Sequence, residues 1–133
     1  MIYLLDSNAC IEYLRGRNAQ VIAKIDHSSP VDLRLCSVVK AELLAGAMSS
    51  RQRHSNVAQV RQFMQPFVSL PFDDPAAEAY ARIRVDLQAQ GQLIGPNDLM
   101  IAAIALVHQA TLVTHNVAEF SRVGGLMFED WQV

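Results

Sequence analysis

Residues 1–16 read MIYLLDSNACIEYLRG, an apolar run from Ile2 to Leu5 that passes directly into Asp6, Ser7 and Asn8. Neighbouring side chains of a strand point to opposite faces, so a run without polar alternation is a strand buried on both sides. The residues that follow, about Ala9–Arg15, read as a helix stopped near Gly16. A doubly buried strand leading at once into a helix is the opening of a βαβ unit and predicts a parallel sheet. It also poses a question: why so apolar a strand should end on a carboxylate.

The rest of the chain repeats this alternation. AQVIAKID (19–26) carries apolar residues at helical spacing, and HSSP closes it. VDLRLCS (31–37) reads as a second strand, and VVKAELLAGAM (38–48) as a helix apolar on nearly every side. RQRHSNVAQVRQFMQ (51–65) is amphipathic and ends before Pro66; FVSLPF (67–72) reads as a third strand. In DDPAAEAYARIRVDLQAQG (73–91), Asp74 is expected as N-cap, Pro75 at the first helical position and Gly91 at the stop. NDLMIAAIALVHQ (97–109) is another all-apolar helix, ATLVT (110–114) a fourth strand, and GGLMFEDW (124–131) a last edge strand. The expectation is a single domain over residues 1–133. Its fold class is α/β, a three-layer α/β/α sandwich around a mostly parallel sheet of four to five strands.

Composition narrows the function. The 133 residues are 51% hydrophobic, enough for one continuous core and too apolar for disorder. A net charge of −2 supplies no global basic field for nucleic acid, yet it is what an acidic, metal-holding site would leave. Cys10 and Cys36 lie in apolar surroundings without metal-ligand spacing, as reduced thiols of a cytoplasmic protein do. The run LMIAAIALV (99–107) is far shorter than the roughly 18 residues of a membrane span.

In parallel sheets ligands gather at the carboxyl ends of strands, where helix N-termini also point. Asp6 falls at such an end. Glu42 sits within an almost wholly apolar helix, where a carboxylate is costly unless paired or bound to metal. Asp98 falls in the first turn of the most buried helix, behind the turn Gly95-Pro96-Asn97. Thr114, Asn116 and Glu119 follow the fourth strand. Taken singly these are ordinary features: an N-cap, a salt-bridged acid, a first-turn acid, a polar loop. Together they converge on one edge. Crowded carboxylates repel unless cations separate them, and an oxygen-only set suits Mg²⁺ or Mn²⁺ rather than zinc.

The stretches LLDSNACIEYL (4–14), VVKAELLAGA (38–47), GPNDLMIAA (95–103) and TLVTHNVAEF (111–120) resemble, in order, the four motif regions of PIN-domain ribonucleases. The resemblance is greatest to the VapC-type toxins of bacterial toxin–antitoxin pairs and extends through the terminal GLMFEDW. It implies Asp6, Glu42 and Asp98 as catalytic, metal-binding acids. It places Ser7 where the family usually has Thr and Asn8 as the next small polar residue; Ser7, Asn8, Asn116 and Glu119 are expected in the outer shell. Many relatives have an aspartate where Asn116 stands, so one tightly held ion is expected. The resemblance further implies an Mg²⁺-dependent endoribonuclease acting on exposed RNA loops, often in tRNA, with Mn²⁺ as a possible substitute. It also implies a VapB-like antitoxin, a homodimer and a cytoplasmic location. Arg15, Arg17 and Lys40, with Arg51 and Arg53, could contact RNA phosphates; a solvated face or an antitoxin contact explains Arg51 and Arg53 equally well. Apolar surfaces near CIEYL (10–14) and VRQFMQPF (60–67) are candidate antitoxin contacts.

Other readings fit less well. A receiver-type signalling module would need a phosphorylatable Asp ending a middle strand and a Lys after a late one, and LRLCS and TLVTH supply neither. A haloacid-dehalogenase-like phosphatase would need an acid where Asn8 stands. A PIN-like module that binds RNA or a partner without cutting is favoured by Asn116 alone.

Overall fold

The computed structural model describes all residues, 1–133. Five strands form one sheet in the order β3-β2-β1-β4-β5, every neighbouring pair parallel. They are β1 (Tyr3–Leu5), β2 (Leu33–Cys36), β3 (Val68–Leu70), β4 (Thr111–Val113) and β5 (Phe128–Glu129). Seven helices connect and flank them: α1 (Ser7–Arg15), α2 (Ala19–His27), α3 (Ser37–Met48), α4 (Arg53–Met64), α5 (Asp74–Ala89), α6 (Pro96–Val107) and α7 (Val117–Phe120). Consecutive residues Leu4 and Leu5 are both fully buried, as are Leu112 and Val113. Since successive side chains face opposite ways, the sheet is covered on both sides, which is the expected three-layer arrangement.

β1 stands at the centre. The chain lays β2 and β3 to one side of it, then crosses back to lay β4 and β5 on the other. The reversal point lies between the carboxyl ends of β1 and β4, where parallel sheets open a crevice for ligands. There the Asp6 N–H donates to the Val113 carbonyl at 3.1 Å, which fixes the end of one strand against the other.

Local sequence sets the elements that frame this crevice. Asp6 is extended and caps α1, accepting from the Ala9 N–H at 2.9 Å, and Gly16 ends the helix at φ 66°, a left-handed conformation suited to glycine. α6 is buried through its middle, with Leu99 and Ile101 to Ala105 at 1% exposure or less. Its first turn must therefore carry whatever polar groups it offers.

Two details differ from the sequence reading. The cap of α5 is Asp73, which accepts from the Ala76 N–H at 3.2 Å, so Asp74 and Pro75 lie inside the helix. Proline is tolerated anywhere in a first turn whose N–H groups lack intrahelical partners, so it does not fix the starting residue. The polar stretch after β4 also holds a helical turn, α7, anchored by Phe120 at 1% exposure.

Cys10 and Cys36 are buried free thiols, both pushed up by burial. No helix is long and apolar enough to cross a membrane.

Candidate functional site

At the crevice between β1 and β4 a cleft of about 170 Å³ is lined by Asp6, Ser7, Asn8, Glu42, Asp98 and Asn116, floored by Ile101 and Phe120. Five separate elements deliver these groups. β1 hands over Asp6, and α1 adds Ser7 and Asn8 in its first turn. α3 carries Glu42, α6 carries Asp98 on its first turn, and Asn116 precedes α7.

The charges in this cleft are poorly compensated. Burial pushes the Asp98 carboxyl up to about 6, and the neighbouring Glu119, which also shares a hydrogen bond with it, adds to the rise, as do Glu42 and Asp6. Burial likewise raises Asp6, reinforced by Glu42 and Asp130, while the Ala9 N–H and the Thr114 hydroxyl hold it back. No arginine or lysine lines this cleft. Carboxylates crowded in this way repel one another, and a cation between them would relieve the repulsion.

Glu42 is occupied by protein donors. Ser7 Oγ donates to its Oε1 at 2.6 Å, and Asn97 Nδ2 reaches its Oε2 at 3.4 Å. With Glu42 so held, no three acids converge tightly enough to clasp an ion as the side chains stand. The donor set is nevertheless all oxygen, and it fits a hard divalent cation. Glu42 lies part-exposed on α3.

Glu119 lies beside Asp98. Arg15 lines a neighbouring groove between α1, α3 and α4, which Glu42 also borders. Arg17 pairs with Glu12 at 2.9 Å on the exposed surface. Lys40 lies outside the cleft, in a separate surface hollow with Arg61, because two residues of helix turn it away from Glu42.

Further polar groups support the site; of those that follow, Thr114 is among the sequence candidates, and His115, Asp130 and Gln132 are not. Thr114, fully buried, accepts from the Asn116 N–H at 3.0 Å and supports Asp6. His115 Nδ1 lies 2.8 Å from Asp130 Oδ2, and Gln132 donates to Asn8 Oδ1. Asp130 directly follows β5 at the same edge of the sheet, so the strand-end argument that found Asp6 reaches it too.

The PIN domain family model matches residues 3–126. The chain belongs to the PIN-domain family. Within it, the similarity is to VapC proteins over essentially full length. Ribonuclease VapC2 of Rickettsia felis is 32% identical, with 98% of each chain covered. The tRNA(fMet)-specific endonuclease VapC of Shigella flexneri is 36% identical, with 97% of each covered. Among solved structures, DNA-bound VapBC from Salmonella typhimurium superposes with a TM-score of 0.92 at 30% identity, covering 98% of both chains. This PIN domain is thus of the VapC type, and its five-stranded parallel sheet is the PIN fold.

Proposed function

We propose that this PIN domain is an Mg²⁺-dependent endoribonuclease toxin of the cytoplasm, held in check by a small antitoxin. The observation that carries the reading is the crowding of Asp6, Glu42, Asp98 and Glu119 where the sheet reverses, with the Asp98 carboxyl raised to about 6. A phosphodiester is itself an anion, so these acids would repel it unless a cation stood between them.

Asp6 and Asp98 would hold the ion directly, and Glu42 directly or through water once turned from Ser7. Asn116 and Glu119 would complete the outer shell. Bound there, Mg²⁺ supplies the positive charge that polarises a phosphoryl oxygen and acidifies water for in-line attack. Ser7 steadies Glu42, while Thr114 and the Ala9 N–H fix the direction of the Asp6 carboxylate. Arg15, beside Glu42, would take an adjacent phosphate. The cleft is small and open at the protein surface, which suits single-stranded or looped RNA whose backbone can bend into it. The tRNA specificity carried in the name of the Shigella relative makes tRNA the first substrate to try.

The groove of Ile11, Leu14, Leu43, Ala47 and Val60 leads to Glu42 and Arg15. An amphipathic antitoxin segment laid in it would reach the acids directly. Rickettsia felis VapBC2 and Haemophilus influenzae VapBC-1 are toxin–antitoxin complexes, which supports a cognate partner for this chain.

The test is incubation of purified protein with total RNA and with tRNA, followed by mapping of the cut ends. Discrete cuts are expected with Mg²⁺ or Mn²⁺ and none in EDTA; undiminished cutting in chelator would refute the metal site.

Asn116 gives a finer test. Asn116→Asp adds a carboxylate to the cleft, and affinity for a hard cation rises with the number of charged ligands. The Mg²⁺ concentration for half-maximal cleavage is expected to fall, and the gap between metal-free and metal-bound melting temperatures to widen. Glu119→Gln should shift the midpoint the other way. Unchanged midpoints in both variants would leave a site of three acids.

A further inference from the structure

We infer that Asn8 is a substrate-positioning donor whose amide is turned toward RNA phosphate by Gln132 of the C-terminal tail, an inference that rests on the nuclease reading above. Asn8 lines the acidic cleft and is exposed. An amide side chain carries one acceptor oxygen and one donor NH₂ group. In this chain the oxygen is turned to the tail: Gln132 Nε2 donates to Asn8 Oδ1 across 124 residues of sequence. Nδ2, on the other side of the amide plane's axis, is the group turned away from Gln132, and it donates. A donor has no use for a cation, whereas a non-bridging phosphate oxygen accepts from it.

Gln132 is itself firmly placed. Its N–H donates to Asp130 Oδ1 at 2.9 Å, and its carbonyl accepts from Asn18 Nδ2 at 3.5 Å. Trp131 beside it is 4% exposed, its ring 5.2 Å from that of Tyr3, and its indole N–H donates to Glu129 Oε1 at 3.0 Å. Lys24 Nζ lies 5.6 Å from the indole centroid on the same residue. The tail is therefore clasped at three successive residues, and Gln132 reaches Asn8 from a fixed base. Holding the Asn8 amide in one of its two orientations is worth most where both a cation and an anion share a small cleft. The wrong face would offer oxygen to phosphate.

Gln132 thus acts through Asn8 and is a positioning residue. A lost hydrogen bond to a charged phosphate oxygen corresponds to about a tenfold weakening. The variants are Gln132→Met, which keeps length and removes the donor, Asn8→Ala, and the two combined. Both positions are solvent-accessible, and circular dichroism and melting curves check that each variant folds. With a short single-stranded RNA of known cut site and saturating Mg²⁺, both single variants are expected to raise KM several-fold to tenfold with kcat within about twofold. The double variant should be no worse than Asn8→Ala alone, because Gln132 has nothing left to orient. The Mg²⁺ midpoint should not move.

An unchanged KM in Gln132→Met overturns the inference, as do additive effects of the two substitutions. A shifted Mg²⁺ midpoint overturns it too, since Asn8 would then serve the ion. Wild-type cleavage in the same assay tests the nuclease reading separately: a wild type that cuts, matched by variants that cut alike, removes only the role of Asn8 and Gln132.

Discussion

Asp98→Asn is expected to lower the rate of RNA cleavage at least about a hundredfold, as loss of one key electrostatic group does, while making the metal-free protein more stable at neutral pH. Asparagine keeps the shape of the side chain and removes its charge. The two effects share one cause. In the folded protein burial and Glu119 raise the Asp98 carboxyl from its ordinary 3.8 to about 6, so the fold favours its protonated form. The stability this group lends is complete below about pH 3.8 and is lost as pH rises through about 6. At pH 7 without metal, the folded chain carries a charge that the unfolded chain would carry more comfortably. Melting curves of the EDTA-treated wild type and of Asp98→Asn, taken from pH 4.5 to 7.5, should diverge as pH rises, the variant melting higher by a few degrees at the upper end. Adding Mg²⁺ should lift the wild type and leave the variant nearly unmoved. A variant that cuts RNA at the wild-type rate would reduce Asp98 to a first-turn acid favoured by the helix dipole. Parallel melting curves would remove the crowding argument.

The sheet was legible because its residues answer to strong, local physics. Ile2–Leu5 and the pair Leu112–Val113 are apolar on successive residues, and in a strand that pattern is satisfied only between two layers. Gly16 and Gly91 mark helix ends because both take left-handed backbone, at φ 66° in each case. Asp73 was mistaken for a flanking residue because two aspartates in series offer equal caps, and only the hydrogen bond to Ala76 chooses between them. α7 was missed because a single helical turn has too few residues to show a period; its signal was Phe120 alone.

The acids were legible as a set for a different reason. Asp6, Glu42 and Asp98 each have an ordinary local explanation taken singly, and it is their convergence on one edge of a parallel sheet that asks for a common one. The groups that orient them were harder to find. Thr114 looks like any strand-end hydroxyl, and Gln132 like any tail residue, until the sheet brings β1, β4 and β5 side by side. Their partners lie 108 or more positions away in the chain, as with Thr114 to Asp6 and Gln132 to Asn8. Spacing carries no trace of such pairs. Lys40 shows the converse: two residues from Glu42 in sequence, it lies on another side of α3.

Asp6 serves two purposes at once, and two substitutions should separate them. Its Oδ1 caps α1 through the Ala9 N–H, and its carboxylate lines the cleft with a pKa raised by burial and by Glu42 and Asp130. Asparagine caps a helix as well as aspartate does, whereas alanine in place of either costs about 1 kcal/mol. Asp6→Asn should therefore fold at least as stably as the wild type in EDTA at pH 7, where it relieves repulsion. Asp6→Ala should melt about 4 °C below Asp6→Asn, the shift that about 1 kcal/mol produces in a chain of this size. Both should cut RNA at least about a hundredfold more slowly, since neither carries the charge. Calorimetric titration with Mn²⁺ should show weakened binding in both. If Asp6→Asn retains activity, the carboxylate at the end of β1 is a cap alone; if the two variants melt together, the cap contributes nothing and the charge is everything. The expected split, equal inactivity with unequal stability, explains why so apolar a strand ends on an acid. Asp6 stands where β1, α1 and the reversal of the sheet meet, and of the side chains short enough to cap a helix, aspartate alone also brings a full negative charge to that point.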